Sequence, residues 1–172
     1  TGAYAFMPSS VFTGSDVFIG DIADNATLAV GTSGASSLTH EIGHALGLQH
    51  PPPSLLSEPE NQHKWTLMSL TWSDGFDSMT LMLSQLDIAA LHYLYGPNPA
   101  SRAGNDTYTF NPANANFIWD GAGTDTIDAS GAEEKVTVYL EPGYWGFKGE
   151  AKADTITSNG QITVNFGTKI EN

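Results

Sequence analysis

Three histidines and one glutamate fall within eleven consecutive residues, at spacings that suit a metal site beside a general base. The segment reads His40-Glu41-Ile42-Gly43-His44-Ala45-Leu46-Gly47-Leu48-Gln49-His50. Side chains four apart on a helix share a face, so His40 and His44 can direct ring nitrogens at one ion. Gly47 can adopt a positive φ and reverse the chain, which would let His50 supply a third nitrogen.

Three neutral imidazoles predict a zinc ion whose fourth tetrahedral position is left for water. Zinc lowers the pKa of such a water towards about 7, and a neighbouring carboxylate can remove its proton during attack on a polarised carbonyl. Glu41 lies one step round the helix and is the predicted base, which would then pass the proton to a leaving amine. The natural target of this chemistry is a peptide bond.

Each histidine taken alone could be an ordinary core or surface residue. Gly47 and His50 extend the H-E-x-x-H match to five specified positions, which is too many to attribute to chance in a chain of 172 residues. His63 and His92 have no partner at ligand spacing, and we interpret both as ordinary residues.

The amino-acid composition limits the kinds of partner, metal site and membrane association that the chain can have. Nineteen acidic and six basic residues give a net charge of -13, which argues against nucleic acid as a partner. The acidic excess fits either a solvated surface or divalent-cation binding. The chain has no cysteine, which excludes disulfides and thiolate metal sites. It also has no run of about eighteen apolar residues, so no membrane span is predicted.

Two strands and two helices are predicted before residue 96. The strands are apolar segments at 3–7 and 17–19, bounded by proline and glycine. Apolar spacing predicts a first helix that ends near Leu46, and a second helix from about Gln85 to Tyr95. Ser84 and Asp87 have the spacing of a capping box at the start of that second helix.

Beyond residue 96 the sequence changes character. It becomes rich in Asn, Asp, Gly and Thr, with alternating segments at 136–140 and 162–166 that predict strands joined by tight turns. We therefore predict two domains, 1–96 and 97–172, of which the second is all-β.

The residues after the histidine segment resemble the metzincin clan of zinc peptidases, and within it the serralysins. Thr66-Leu67-Met68-Ser69 resembles the methionine-containing Met-turn that lies beneath the metal, with Met68 as the candidate methionine. Asp87-Ile88-Ala89-Ala90-Leu91 and Leu94-Tyr95-Gly96 resemble the helix that follows it. Met79 is a rival for the Met-turn but lacks the surrounding residues.

The resemblance implies an α+β fold. It places a metzincin-type catalytic domain, a mixed sheet with an active-site helix and a following helix, before the start of an all-β calcium-binding β-roll or sandwich. The segment 3–8 resembles the edge strand with which serralysins align an extended substrate. The implied protein is a secreted, extracellular zinc endopeptidase that acts on protein or peptide substrates. The resemblance also allows a proteinaceous inhibitor as a partner.

Two departures from the serralysin pattern matter. Serralysins usually carry a Tyr two residues after the Met, where this chain has Leu70. Losing such a donor costs on the order of 10²- to 10³-fold in rate elsewhere, so a zinc-bound but catalytically weak or silent binding module remains an alternative. The other departure is that the front of the catalytic domain is missing before Thr1, so we expect the chain to be a fragment, with further calcium repeats after Asn172.

Three acidic, glycine-rich segments resemble those that together bind calcium in serralysins. Calcium takes roughly six to eight oxygens, which carboxylates and the carbonyls of tight glycine turns can supply. An acidic turn without metal is the alternative, because a single imperfect repeat unit is a weak signal. By resemblance, the ligands are side-chain oxygens of Asp120, Asp125 and Glu171 and carbonyls of Arg102, Gly104, Asp106, Ala122, Gly123 and Lys169. Calcium-driven folding of this tail for secretion is a third possible function.

Overall fold

The computed structural model describes residues 2–20, 28–29, 31–71, 83–152 and 154–172. The rival Met79 lies outside these residues. Contacts divide the chain into two compact units, Thr1–Leu91 and His92–Asn172. The domain boundary at residue 96 stays a prediction. Among the described residues, helices of both units are too short or too polar to cross a membrane.

The first unit contains one strand pair and the helix that carries two of the histidines. Strand β1 (Ala3–Ala5) pairs antiparallel with β2 (Val17–Ile19). Helix α1 (Ser33–Ala45) packs against both strands. The Thr32 side chain accepts a hydrogen bond from the Ala35 N–H and so caps the start of α1.

Helix α2 (Gln85–Tyr95) has the predicted bounds, and the boundary between the units falls inside it. The Ser84 N–H donates to Asp87 Oδ2 at 2.8 Å, which is one half of the predicted capping interaction. Gly96 follows the helix with φ of 76°, a conformation that glycine adopts without steric cost.

In its described residues the second unit has six short strands, so the protein combines helices and sheets as an α+β chain. They are β3 (Thr107–Thr109), β4 (Asn116–Ile118), β5 (Thr126–Asp128), β6 (Val136–Thr137), β7 (Trp145–Lys148) and β8 (Ile162–Val164). β3 pairs in parallel with β5, and the other four form a sheet in the order β4-β8-β7-β6. The buried core consists of Phe110, Ile118, Ile162, Val164 and Ile170.

Two strands of this unit are shorter than the predicted 136–140 and 162–166. β6 stops at Thr137, which pairs with Phe147 of β7, although Val138 still packs on the core. β8 stops at Val164 because the chain turns, with the Thr168 N–H donating to the Asn165 carbonyl. β8 is buried on both faces, whereas Phe166 beyond it is exposed, so the alternation of apolar residues predicted neither where the strands end nor which positions are buried.

Candidate metal centres

The three predicted zinc ligands converge. His40 and His44 lie on α1, and the Nε2 atom of His50 is 3.0 Å from His40 Nε2 and 3.1 Å from His44 Nε2. Two nitrogens bound to one tetrahedral zinc at 2.0–2.1 Å are about 3.3 Å apart. The arrangement of the rings therefore fits a zinc ion held by three Nε2 atoms.

The second nitrogen of two of these rings is fixed by a backbone carbonyl. His40 Nδ1 lies 2.9 Å from the Leu67 carbonyl oxygen, and His44 Nδ1 lies 2.8 Å from that of Leu48. Because a carbonyl can only accept, each Nδ1 must carry the proton and donate it. Each Nε2 is then left with the lone pair that a metal requires.

Gly47 reverses the chain between His44 and His50. Its φ is 99°, and the Leu48 N–H donates back to the Gly43 carbonyl at 2.9 Å. A residue with a side chain would be strained in this conformation. Burial, followed by the nearby charges of His44 and His40, lowers the pKa of His50. The neutral, metal-binding form of this imidazole is therefore favoured.

Glu41 follows His40 directly on α1 and is only 9% exposed. One residue along a helix corresponds to a rotation of about 100°, so Glu41 lies beside the row formed by His40 and His44 and not on it. This is the position on the helix that the sequence predicted for a general base beside two metal ligands.

Met68 packs against the helix between the two histidines. It is 2% exposed, and a Cβ atom added to Gly43 would lie 2.7 Å from its sulfur. Residue 43 must therefore be glycine for α1 to rest on the methionine at this distance. Met68 was predicted from resemblance, whereas the reason for Gly43 is visible only in the packing.

Asp87 is buried, and besides capping α2 it makes hydrogen bonds near the histidines that the sequence did not predict. Its Oδ1 accepts from the Thr66 hydroxyl at 2.6 Å, and its Oδ2 accepts from the Leu67 N–H at 2.7 Å. Burial raises the pKa of this carboxyl above its usual value, and its hydrogen bonds offset only part of that rise. Since the Leu67 carbonyl accepts from His40, this one residue links α2 to the histidine cluster. The only available signal was the capping-box spacing.

Leu70 lies two residues after Met68 and is 73% exposed. The position at which serralysins usually carry a phenol therefore presents an apolar side chain to solvent.

The second unit brings three predicted calcium-binding residues together. One carboxylate oxygen from each of Asp106, Asp120 and Asp125 lies within 4.8 Å of the other two. We name these three residues the acidic cluster. The prediction assigned only the carbonyl of Asp106, whereas its carboxylate also lies in the cluster. Like charges this close repel, which a bound cation would offset.

Asp125 shows the clearest fit to a cation. It is fully buried, and its Oδ1 accepts from the Asp106 N–H at 2.8 Å. In the part of the chain that the structure describes, its Oδ2 has no hydrogen-bond partner. A buried carboxylate oxygen without a donor is costly, and a calcium ion would satisfy it.

Two of the other predicted calcium ligands, Glu171 and Ala122, contact the acidic cluster. Glu171 Oε2 accepts from the Asp125 N–H at 2.9 Å, and Glu171 Oε1 lies 3.7 Å from Lys169 Nζ. The Ala122 N–H donates to Asp120 Oδ1 at 3.0 Å. Arg102 has a φ of 52°, uncommon for a residue with a side chain.

Gly104 and Gly123 bring two of the predicted segments into backbone contact. Gly123 has a φ of 148°, and a Cβ atom there would lie 1.8 Å from the Gly104 carbonyl oxygen. Glycine is thus required at 123 both by conformation and by space.

Several known proteases are similar to this chain, although no family model matches it. The chain is 32% identical to serralysin from Proteus mirabilis over 82% of its length, and 31% identical to serralysin C from Dickeya chrysanthemi over all of it. It is 29% identical to metalloprotease AprA from Pseudomonas entomophila over 86% of its length. These alignments cover 36%, 41% and 36% of the relatives, so the chain spans about two fifths of their length. The chain belongs to the serralysin family of metalloproteases.

Proposed function

We propose that this chain carries the active site of a secreted zinc endopeptidase, with His40, His44 and His50 as ligands and Glu41 as general base. The observation that supports the proposal most strongly is the approach of the His40 and His44 Nε2 atoms to within 3.0–3.1 Å of His50 Nε2. The similarity to serralysins and to metalloprotease AprA supports a metal-dependent protease, and the family resemblance supports zinc as the metal and an extracellular location.

In this proposal the three histidines would bind the metal and Glu41 would transfer the proton. A zinc ion at this site would supply Lewis-acid activation of water and of the substrate carbonyl. Glu41 removes the proton from the attacking water and returns it to the leaving amine nitrogen. The Leu67 and Leu48 carbonyls hold the rings of His40 and His44 in their ligand tautomers throughout.

β1 provides a place for an extended substrate. Among the described residues, β1 pairs with β2 alone, so its other edge offers N–H and C=O groups to a further strand. A peptide added there would gain main-chain hydrogen bonds without regard to its sequence. We include this edge in the proposal as the substrate-aligning strand.

The proposal extends to calcium in the second unit. The acidic cluster, with Glu171 and the turns at Gly104 and Gly123, would hold calcium and stabilise the strands around it. The observation that supports this assignment is the buried Oδ2 of Asp125, which has no hydrogen-bond partner among the described residues.

Metal removal tests the zinc role. Purified protein should contain about one zinc per chain by mass spectrometry and should hydrolyse a quenched peptide. Removal with a zinc chelator should abolish hydrolysis, and added zinc should restore it because the three neutral nitrogens are already in place. Hydrolysis that persists after complete removal of metal would contradict the proposal.

Leu70 separates the peptidase from a zinc-bound but weak or silent binding module. We expect Leu70→Tyr to raise kcat by up to about 10²-fold, since a phenol at this position could donate to the developing oxyanion. Leu70→Phe is the matched control, because it adds the ring without the hydroxyl. If neither wild type nor Leu70→Tyr hydrolyses any peptide while both retain zinc, the binding module is the better description.

A further inference from the structure

Tyr108 lies directly behind one member of the acidic cluster. It is the central residue of β3, and its backbone pairs with Ile127 of β5. Its hydroxyl donates a hydrogen bond to Asp120 Oδ2. Asp120 is buried, so solvent does not compete for this bond.

The carboxylate of Asp120 is held from two sides. Oδ1 accepts from the Ala122 N–H at 3.0 Å, and Oδ2 accepts from the Tyr108 hydroxyl. The backbone of Asp120 is fixed as well, because its N–H donates to the Thr168 hydroxyl at 3.0 Å. An ionised carboxylate has about four lone-pair sites, so two remain for a cation.

Arg102 fixes the ring that supplies the phenol donor. Its guanidinium carbon lies 5.5 Å from the centre of the Tyr108 ring and 5.8 Å from that of Trp119, the residue before Asp120. A guanidinium over aromatic faces is attracted to both rings and restricts their motion. A tyrosine hydroxyl carries its proton at neutral pH, so Tyr108 can donate to Asp120.

We propose that Tyr108 is a positioning residue for calcium at the acidic cluster, acting through the carboxylate of Asp120. The inference rests on the calcium role proposed above. Donors to metal-binding carboxylates set the orientation of the ligand before the ion arrives, and their removal typically costs 10- to 100-fold in metal affinity. In this proposal the phenol acts on the orientation of Asp120 and is not itself a ligand.

Calorimetric titration of the 172-residue chain with calcium chloride tests the proposal. Tyr108→Phe deletes only the hydroxyl, and we expect calcium to bind about 10-fold more weakly with unchanged stoichiometry. Tyr139→Phe is the matched control, because Tyr139 is a partly exposed tyrosine of the same unit whose ring contacts Tyr144. It should bind calcium as the wild type does.

Replacement of Tyr108 by 4-aminophenylalanine separates positioning from ring packing. The amino group restores an N–H donor at the same place, so affinity should return towards the wild-type value. Melting of each variant in EDTA monitors the folded state. A destabilisation that is equal in EDTA and in saturating calcium, with unchanged affinity, would mean a purely structural role and overturn the inference.

The outcomes also distinguish the inference from the calcium proposal beneath it. If the wild type takes up no calcium, both fail. If the wild type binds calcium and Tyr108→Phe binds it as tightly or more tightly, only the role of Tyr108 fails. If the Phe and 4-aminophenylalanine variants are equally weak, the hydroxyl donor is not the cause and the inference is again overturned.

Discussion

Glu41→Gln is expected to lower kcat/KM for peptide hydrolysis by at least about 10²- to 10⁴-fold, while the zinc content per chain stays unchanged. Glutamine has nearly the same shape as glutamate but cannot accept a proton at neutral pH. The His40 and His44 imidazoles do not depend on Glu41 for their orientation, because they are held by the Leu67 and Leu48 carbonyls. Steady-state assays with a quenched peptide and metal analysis of the same samples give both quantities.

Glu58→Gln is the control for this change. Glu58 is exposed on the first unit, and the substitution alters the net charge in the same way. It should hydrolyse the peptide at the wild-type rate. Equal hydrolysis by Glu41→Gln and wild type would remove Glu41 from the mechanism. Loss of zinc from Glu41→Gln would instead give this residue a part in holding the metal.

Asp125→Asn should abolish most of the calcium-dependent stabilisation of the protein. A ligand present at 100 times its dissociation constant stabilises the folded state by about 2.7 kcal/mol. For a unit of fewer than 100 residues this corresponds to a rise in Tm of roughly 10 °C or more. Asparagine removes a charge from the buried oxygen that has no other partner among the described residues. Calorimetry in calcium and in EDTA measures the calcium-dependent rise in Tm for the wild type and for the variant.

The wild type should be more stable than Asp125→Asn in calcium but not in EDTA. Without a cation, the carboxylates of Asp106, Asp120 and Asp125 repel one another, and neutralising one of them relieves this repulsion. Asp125→Asn should therefore melt at or above the wild-type temperature in EDTA and well below it in calcium. Asp154→Asn, an exposed change in the same unit, should follow the wild type in both. A wild-type Tm that does not respond to calcium would count against any calcium role.

The convergence of the three histidines could be predicted because they are close together in the sequence. Spacing alone placed His40 and His44 on one helical face and identified Gly47 as the point of reversal, which the φ of 99° explains. The bounds of α2 were likewise encoded locally, by Ser84 at its start and Gly96 at its end. Local patterns of this kind depend on backbone geometry, which neighbouring residues determine.

The parts that could not be predicted depend on tertiary contacts. The link from Asp87 through Leu67 to His40 joins residues 20 and 27 positions apart, and no periodicity signals it. The hydrogen bond from Tyr108 to Asp120 likewise joins residues 12 positions apart, and no periodicity signals it. The calcium segments were assigned by resemblance alone, because Asp125 meets Glu171 across 46 positions. The ends of β6 and β8 also required knowledge of the opposing strands.

The two candidate metal centres differ in the sequence separation of their residues, and this difference affects the order in which they can form. All three imidazoles come from α1 and the reversal at Gly47, so their loop closes at small entropic cost. The acidic cluster and Glu171 span residues 106–171, and long-range closures of this kind are slow. During refolding, zinc uptake should therefore precede calcium uptake.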